Sequence, residues 1–327
     1  MPIVKSIRFT RICGACTVLT MTSALSDQAL ACDAARGAAA RERRGSALMV
    51  CGGLLLGTLG VFVEEAGQDP LTAVWFRCAF GALALLVWGA VSGRLSELRL
   101  SGRALAAALA AGVLMVANWT LFFGAIQRTS IGVATVVFHV QPLWVMALGA
   151  WWLREPVSAA RLGAAMLALI GLTLATGLLD GAGVGAVHAP GYLWGLAMCL
   201  GGSLSYAGVT LIAKTAHSAS AFALAWWQCL VGLLALAGWP LLHGWPAAGP
   251  AWAWLAGLGV FHTGLAYVVL YAGMSRLSTS RIALLQFVYP FTAVLLDWAV
   301  YGRALSVVQA GGMGLMGLAL WAVRRPG

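Results

Sequence analysis

Residues 130–152 read SIGVATVVFHVQPLWVMALGAWW, 23 positions without one Asp, Glu, Lys or Arg. A helix rises 1.5 Å per residue, so about 20 mostly apolar residues cross the hydrocarbon of a bilayer. This run meets that length. It is apolar throughout rather than alternating, whereas a membrane β-barrel strand alternates over about 10 residues. Cutting the rest of the chain at charges, prolines and Gly/Ser clusters yields nine similar runs, at 46–66, 70–91, 103–126, 157–178, 190–213, 220–242, 251–274, 279–301 and 305–323. The expected fold is an all-α integral membrane protein of ten transmembrane helices.

Composition agrees with a lipid environment. Of 327 residues, 61% are hydrophobic and 9% charged, with a mean hydropathy of +0.89. Soluble domains carry about 25% charge, so a water-soluble fold has no means of hiding this much apolar surface. The net charge of +10 does not point to nucleic acid, because the basic residues are scattered between apolar runs and form no stripe interleaved with aromatics. Seven cysteines, four of them inside apolar runs, make no disulfide framework. Cys13-x-x-Cys16 lacks the second pair that a metal site needs.

Basic residues set the orientation. With the N-terminus in the cytoplasm, 17 of the 20 fall on the cytoplasmic side, among them Arg154, Arg161, Lys214, Arg276 and Arg281. Only Arg128 and Arg303 face outward, and Arg77 lies inside the second run. Both termini are therefore expected in the cytoplasm, with the chain in the inner or plasma membrane. Residues 1–45 admit three readings: a basic tail, an extension from an early start codon, or a signal peptide ending at Ala29-Leu30-Ala31.

An internal repeat organises the remainder. Arg128 and Arg276 are 148 positions apart. The same offset joins Ser130 to Ser278, Pro142 to Pro290, Leu148 to Leu296, Ser158 to Ser306 and Gly163 to Gly311, and it sets Trp119 against Tyr267 and Phe123 against Tyr271. A five-helix unit, 46–178, thus recurs at 190–323. Five is odd, so the second copy is expected upside down, an arrangement common among secondary transporters.

Phe122-Phe123-Gly124-Ala125-Ile126, Thr129-Ser130-Ile131-Gly132, Gln141-Pro142 and Leu153-Arg154-Glu155-Pro156, repeated in part from Tyr271 to Val323, resemble the EamA domain of the drug/metabolite transporter superfamily. The resemblance implies two inverted five-helix repeats around a central cavity, and export of an amino acid or other small metabolite. A proton gradient is the implied drive. Two positions depart from the family pattern: Leu56-Gly57 stands where Trp-Gly is frequent, and Arg303 stands opposite Glu155 where an acid is frequent.

Polar groups inside a membrane are costly and so mark candidate sites. The strongest set is Thr135, His139 and Gln141 in the fourth run, where Pro142 removes a backbone donor and kinks the helix. Gln286 and Tyr289 before Pro290 repeat it in the ninth. The repeat places the two kinks face to face near the midplane, with Asn118, Trp119, Ser203, Tyr206, His262 and Tyr267 as wall residues. Each has a plainer explanation in helix–helix hydrogen bonding or interfacial anchoring. Glu64, Glu65 and Arg77 form a candidate ion pair or coupling group, Asp297 a candidate partner of Arg303, and Glu155 sits where the dipole of the fifth helix favours an acid. Most of the 15 tryptophans lie near span ends, as an interfacial belt requires, with Trp119 and Trp144 deeper.

A secondary carrier of a small zwitterionic or neutral amphipathic metabolite is the expected function, working by alternating access without cofactor or metal. Its partners are that substrate, the bilayer and protons. The alternative is a channel or membrane scaffold, although no polar rings repeat along a helix face as a pore demands. An enzyme finds no support in the sequence, which lacks HExxH, GxSxG and P-loop patterns.

Overall fold

A computed structural model of the chain describes residues 14–178, 191–302 and 304–322, with side chains from residue 32. Every regular element among the described residues is helical. The chain divides into two units, Met1–Arg43 and Arg44–Gly327. In the first, the described side chains are mostly exposed, and Arg36 pairs with Asp33 at 3.6 Å. Cys13 lies outside the described residues.

In chain order the helices are α1 (Gly14–Gly57), α2 (Leu59–Ala66), α3 (Pro70–Val91), α4 (Gly102–Ile126), α5 (Ile131–Phe138), α6 (Gln141–Trp152) and α7 (Ala159–Ala175). There follow α8 (Tyr192–Thr215), α9 (Ala221–Ala235), α10 (Gly238–His243), α11 (Ala251–Gly257), a π-helical segment Leu258–Leu265, α12 (Ala266–Met274), α13 (Thr279–Leu285), α14 (Val288–Tyr301) and α15 (Val307–Ala322). Eight stretches are long and apolar enough to cross a membrane, and α7 and α15, of 17 and 16 residues, are shorter apolar helices.

Local chemistry sets the boundaries. Asp69 accepts from the N–H groups of Leu71 and Thr72 ahead of Pro70 and so caps α3. Ser130, Ser158 and Ser220 cap α5, α7 and α9 in the same manner. Gly302 adopts a left-handed conformation that ends α14. Arg128 donates to the carbonyl of Gly124, and Arg276, 148 positions later, donates to that of Ala272. The two arginines therefore satisfy the last turns of α4 and α12 identically.

Burial follows the apolar pattern with its sense relaxed toward lipid. Leu83, Val91, Val113, Ile131 and Leu193 are exposed, while small residues fill the contacts between helices. The broadest helix contacts are α4 on α8 and α9, α7 on α15, and α3 on α9 and the π-helical segment. Each joins an element before residue 178 to one after residue 191. Arg128 and Thr129 pack on Gly195 near the start of α8, and Lys214 near its end donates to the carbonyl of Leu277.

Candidate functional site

The apolar run that opens the sequence analysis is not one helix. It breaks between α5 and α6 at His139 and Val140, one turn ahead of Pro142. At the equivalent place before Pro290, Gln286 and Phe287 separate α13 from α14. Proline supplies no N–H and crowds the preceding turn, which accounts for both breaks. The His139 ring lies 2.6 Å through Nδ1 from the carbonyl oxygen of Thr135, which also accepts the backbone N–H of His139 at the end of α5.

The breaks meet. Gln141 Nε2 donates to Gln286 Oε1 at 3.0 Å, and Gln286 Nε2 donates to Thr210 Oγ1 of α8 at 3.2 Å. His139 and Tyr289 stack with ring centroids 6.0 Å apart, and Phe138 approaches Tyr206 at 6.3 Å. His139 and Gln141 are buried. Gln141 and Gln286 thus join the two broken helices by a hydrogen bond that Thr210 extends to α8, and His139 and Tyr289 join them by a ring contact.

A second set of contacts centres on Arg77 of α3. Its Nε donates to Thr263 Oγ1 at 2.8 Å, and its guanidinium carbon lies 5.0 Å from the centre of the Trp119 ring. Thr263 sits in the π-helical segment and itself donates to the carbonyl of Leu258, five residues back. Such widened turns are frequent at functional sites. Tyr206, Tyr267 and Tyr289 all lie within electrostatic reach of Arg77. Tyr271 donates to Gln228, and Trp144 donates to Ser203 at 3.1 Å. Asn118 is buried beside Trp119, and His262 bonds Thr58 at 2.7 Å across to the turn between α1 and α2.

Two expectations are corrected here. Arg77 turns to Thr263 and Trp119 rather than to Glu64 or Glu65, because its side chain leaves α3 on the face packed against the π-helical segment and α4. Glu65 instead accepts from Tyr301 at 3.3 Å. Glu155 does not serve α7, whose cap is Ser158. Arg154 adopts a positive φ of 54° just ahead of it. The Glu155 carboxylate accepts from Lys214 at 2.8 Å and from both the N–H and the hydroxyl of Thr279, at 2.7 and 2.8 Å. Partial burial raises its pKa, but these three interactions with Lys214 and Thr279 outweigh burial and hold it below the ordinary glutamate value. Arg303, the partner considered for Asp297, lies outside the described residues.

Sequence reasoning passed over Lys214, Thr263, Gln228 and Thr279. Gln228 and Thr263 carry the signal used for His139, a polar side chain inside an apolar run. Lys214 and Thr279 read only as flank residues, since their partner is far away in sequence.

Comparison with known proteins agrees on one family. A model of the EamA-like transporter family matches residues 43–177 and again 193–325. An uncharacterized transporter of Bacillus subtilis (strain 168), YxxF, is 27% identical over 284 residues, covering 85% of this chain and 89% of that one. An uncharacterized transporter of Archaeoglobus fulgidus (strain ATCC 49558 / DSM 4304 / JCM 9628 / NBRC 100126 / VC-16) is 29% identical over 279 residues, covering 84% and 95%. A solved crystal structure of a protein with 20% identity shares the fold at a TM-score of 0.75, covering 86% of this chain and 96% of the other.

Proposed function

The chain belongs to the EamA-like transporter family, a multi-pass membrane protein, and we propose from that premise that it is a secondary carrier exporting a small metabolite. The contact between the two broken helices, Gln141 to Gln286 and His139 to Tyr289, carries this reading. Freed backbone groups and facing polar side chains at two equivalent breaks are what a site shared by two rocking halves requires. The site is Thr135, His139, Gln141, Gln286 and Tyr289, walled by Asn118, Trp119, Tyr206, His262 and Tyr267. A small zwitterionic or neutral amphipathic metabolite suits these groups, and the proton gradient implied by the family resemblance drives export.

Two five-helix repeats, 46–178 and 190–323, enclose the site in opposite orientations. The 148-residue offset maps α5 onto α13, α6 onto α14 and α7 onto α15 to within about one residue at each end. Packing of Arg128 at one end of α8 and of Leu277 at the other supports inversion. Both termini then lie in the cytoplasm of a cell whose inner or plasma membrane holds the protein. Cysteines placed at Arg128 and Arg276 should react with a membrane-impermeant thiol reagent from opposite sides of intact cells. Labelling of both from one side would rule the inversion out.

Flux into proteoliposomes across a panel of amino acids and related metabolites, with and without a pH gradient, tests the carrier itself. Gln141→Leu removes the donor to Oε1 of the half-buried Gln286, which keeps only its bond to Thr210, and an acceptor left unsatisfied costs about 1–3 kcal/mol. Transport efficiency should fall about tenfold or more, about 1.4 kcal/mol per decade. His139→Ala and Tyr289→Phe should each lower it as well. Saturable flux left unchanged by all three variants would remove the site from this position.

A further inference from the structure

We propose that Arg77 is the anion-recognising group of the transport site, and that the substrate carries a carboxylate on an apolar or aromatic body. This rests on the carrier reading above and narrows its substrate class.

The arginine is 5% exposed, within an apolar helix. Guanidinium stays protonated in proteins, so the positive charge persists there. Burying an ion without a counter-ion is strongly unfavourable. None of the three ion pairs among the described residues includes Arg77. The guanidinium has one hydroxyl partner, Thr263, and one aromatic face, Trp119, while its buried Nη2 has no hydrogen-bond partner. A fold that only needed to fill this volume would be served by Leu or Met at no such cost. Retention of an unpaired cation between Thr263 and Trp119 is accounted for by a ligand that brings the missing negative charge.

The geometry of the group narrows the ligand further. Thr263 occupies Nε and leaves the terminal nitrogens, a planar pair of donors that matches the two oxygens of a carboxylate. The Trp119 ring under the guanidinium gives the rest of the molecule a flat, largely apolar group to pack on. Thr263 in the π-helical segment holds the guanidinium through Nε. Arg77 is thus oriented before the ligand arrives.

The test uses the full chain purified in detergent and matched ligand pairs that differ at one group: phenylalanine and phenylalaninamide, leucine and leucinamide, benzoate and benzamide. Affinities are read from ligand-dependent melting followed by tryptophan fluorescence. At least one carboxylate should bind tenfold or more tightly than its amide. Arg77→Gln should bring that ratio to about one, and Arg77→Lys, which keeps the charge without the fork, should retain the preference at about tenfold weaker affinity. The lysine variant keeps the test decisive if the glutamine variant does not fold, since a lysine with the full wild-type affinity would refute recognition by the fork. Equal affinities within every pair, no binding by any carboxylate, or a preference that survives Arg77→Gln would each overturn the assignment. Flux of the same compounds in proteoliposomes separates the two claims. Transport of the amides as well as the acids leaves the carrier standing and removes Arg77 from recognition; carboxylate binding lost in Arg77→Gln without any flux does the reverse.

Discussion

Gly312→Leu is expected to abolish recovery of the folded protein, whereas Gly314→Leu, two positions away on the same helix, should be tolerated. A Cβ on Gly312 would lie 2.5 Å from the carbonyl oxygen of Gly171 and 2.6 Å from the amide nitrogen of Ala175. The reciprocal contact is as close: a Cβ on Gly171 would lie 2.7 Å from the carbonyl of Gly312. Both obstacles are backbone, so no rotamer change relieves them, and α7 and α15 would have to separate. That interface buries Ala168, Leu172, Ala175, Met313, Met316 and Ala319. Between apolar helices in lipid, close packing replaces the hydrophobic drive that would hold them together in water. Overpacking a core costs about 1–3 kcal/mol and more where backbone must move, so a loss of about 3 kcal/mol or more is expected. A Cβ on Gly314 meets nothing within 4 Å. The comparison is made by monodisperse yield after gel filtration and by melting temperature, and equal values for the two variants would contradict the packing argument.

That contrast between Gly312 and Gly314 also marks the limit of what the sequence shows. Composition and run length disclose the helices, because the bilayer imposes a length and excludes charge whatever the tertiary contacts are. The 148-residue offset discloses the equivalence of Pro142 and Pro290, and with it the meeting of His139 and Gln141 with Tyr289 and Gln286. Proline acts locally, so its effect can be read from its position. Nothing local distinguishes Gly312 from Gly314, since only the facing helix decides which one is crowded. The same holds for Arg77, whose sequence neighbours suggested Glu64 and Glu65 while its helix face is turned to Thr263, 186 positions on. It holds again for Glu155 and Thr279, which lie 124 positions apart. The π-helical segment has no sequence signature at all, because a single widened turn is stabilised by what packs against it.

The arrangement of charge ties stability to function in this fold. The buried cation at Arg77 costs free energy that a scaffold would have no reason to carry, whereas the ion pair at Glu155 stabilises a contact between elements of the two matched repeats. One lies among the wall residues, the other at the connections after α6 and α12. A carrier that alternates between two closures needs contacts of the second kind to be strong enough to hold and weak enough to break.

Glu155→Ala should therefore destabilise the protein and open this end of it. Removal of the carboxylate leaves three donors without their acceptor: the N–H and hydroxyl of Thr279 and the ammonium of Lys214, which keeps only the carbonyl of Leu277. The side chains of Lys214 and Glu155 are 14% and 24% exposed, a site between the surface and the core. Hydrogen bonds to charged groups contribute about 1.5–3 kcal/mol, and a cost of about 2 kcal/mol is expected after allowance for solvent. Lys214→Ala should cost less, because Thr279 still donates to the carboxylate. The pH dependence has a defined sign. The folded pKa of Glu155 is lowered, so its contribution is fully present above the ordinary glutamate value of about 4.3. It is lost as pH falls through the depressed value in the fold, and Glu155→Ala should flatten that part of the melting-temperature profile. Opening is read separately with Ser280→Cys, at a residue 1% exposed in α13, after Cys13, Cys16, Cys32 and Cys51 are changed to Ser. Its reaction with a water-soluble thiol reagent should be at least tenfold faster in the Glu155→Ala background, which corresponds to about 1.4 kcal/mol of closure free energy. Unchanged reactivity together with a lowered melting temperature would make Glu155 a local cap of α13 and no part of a gate.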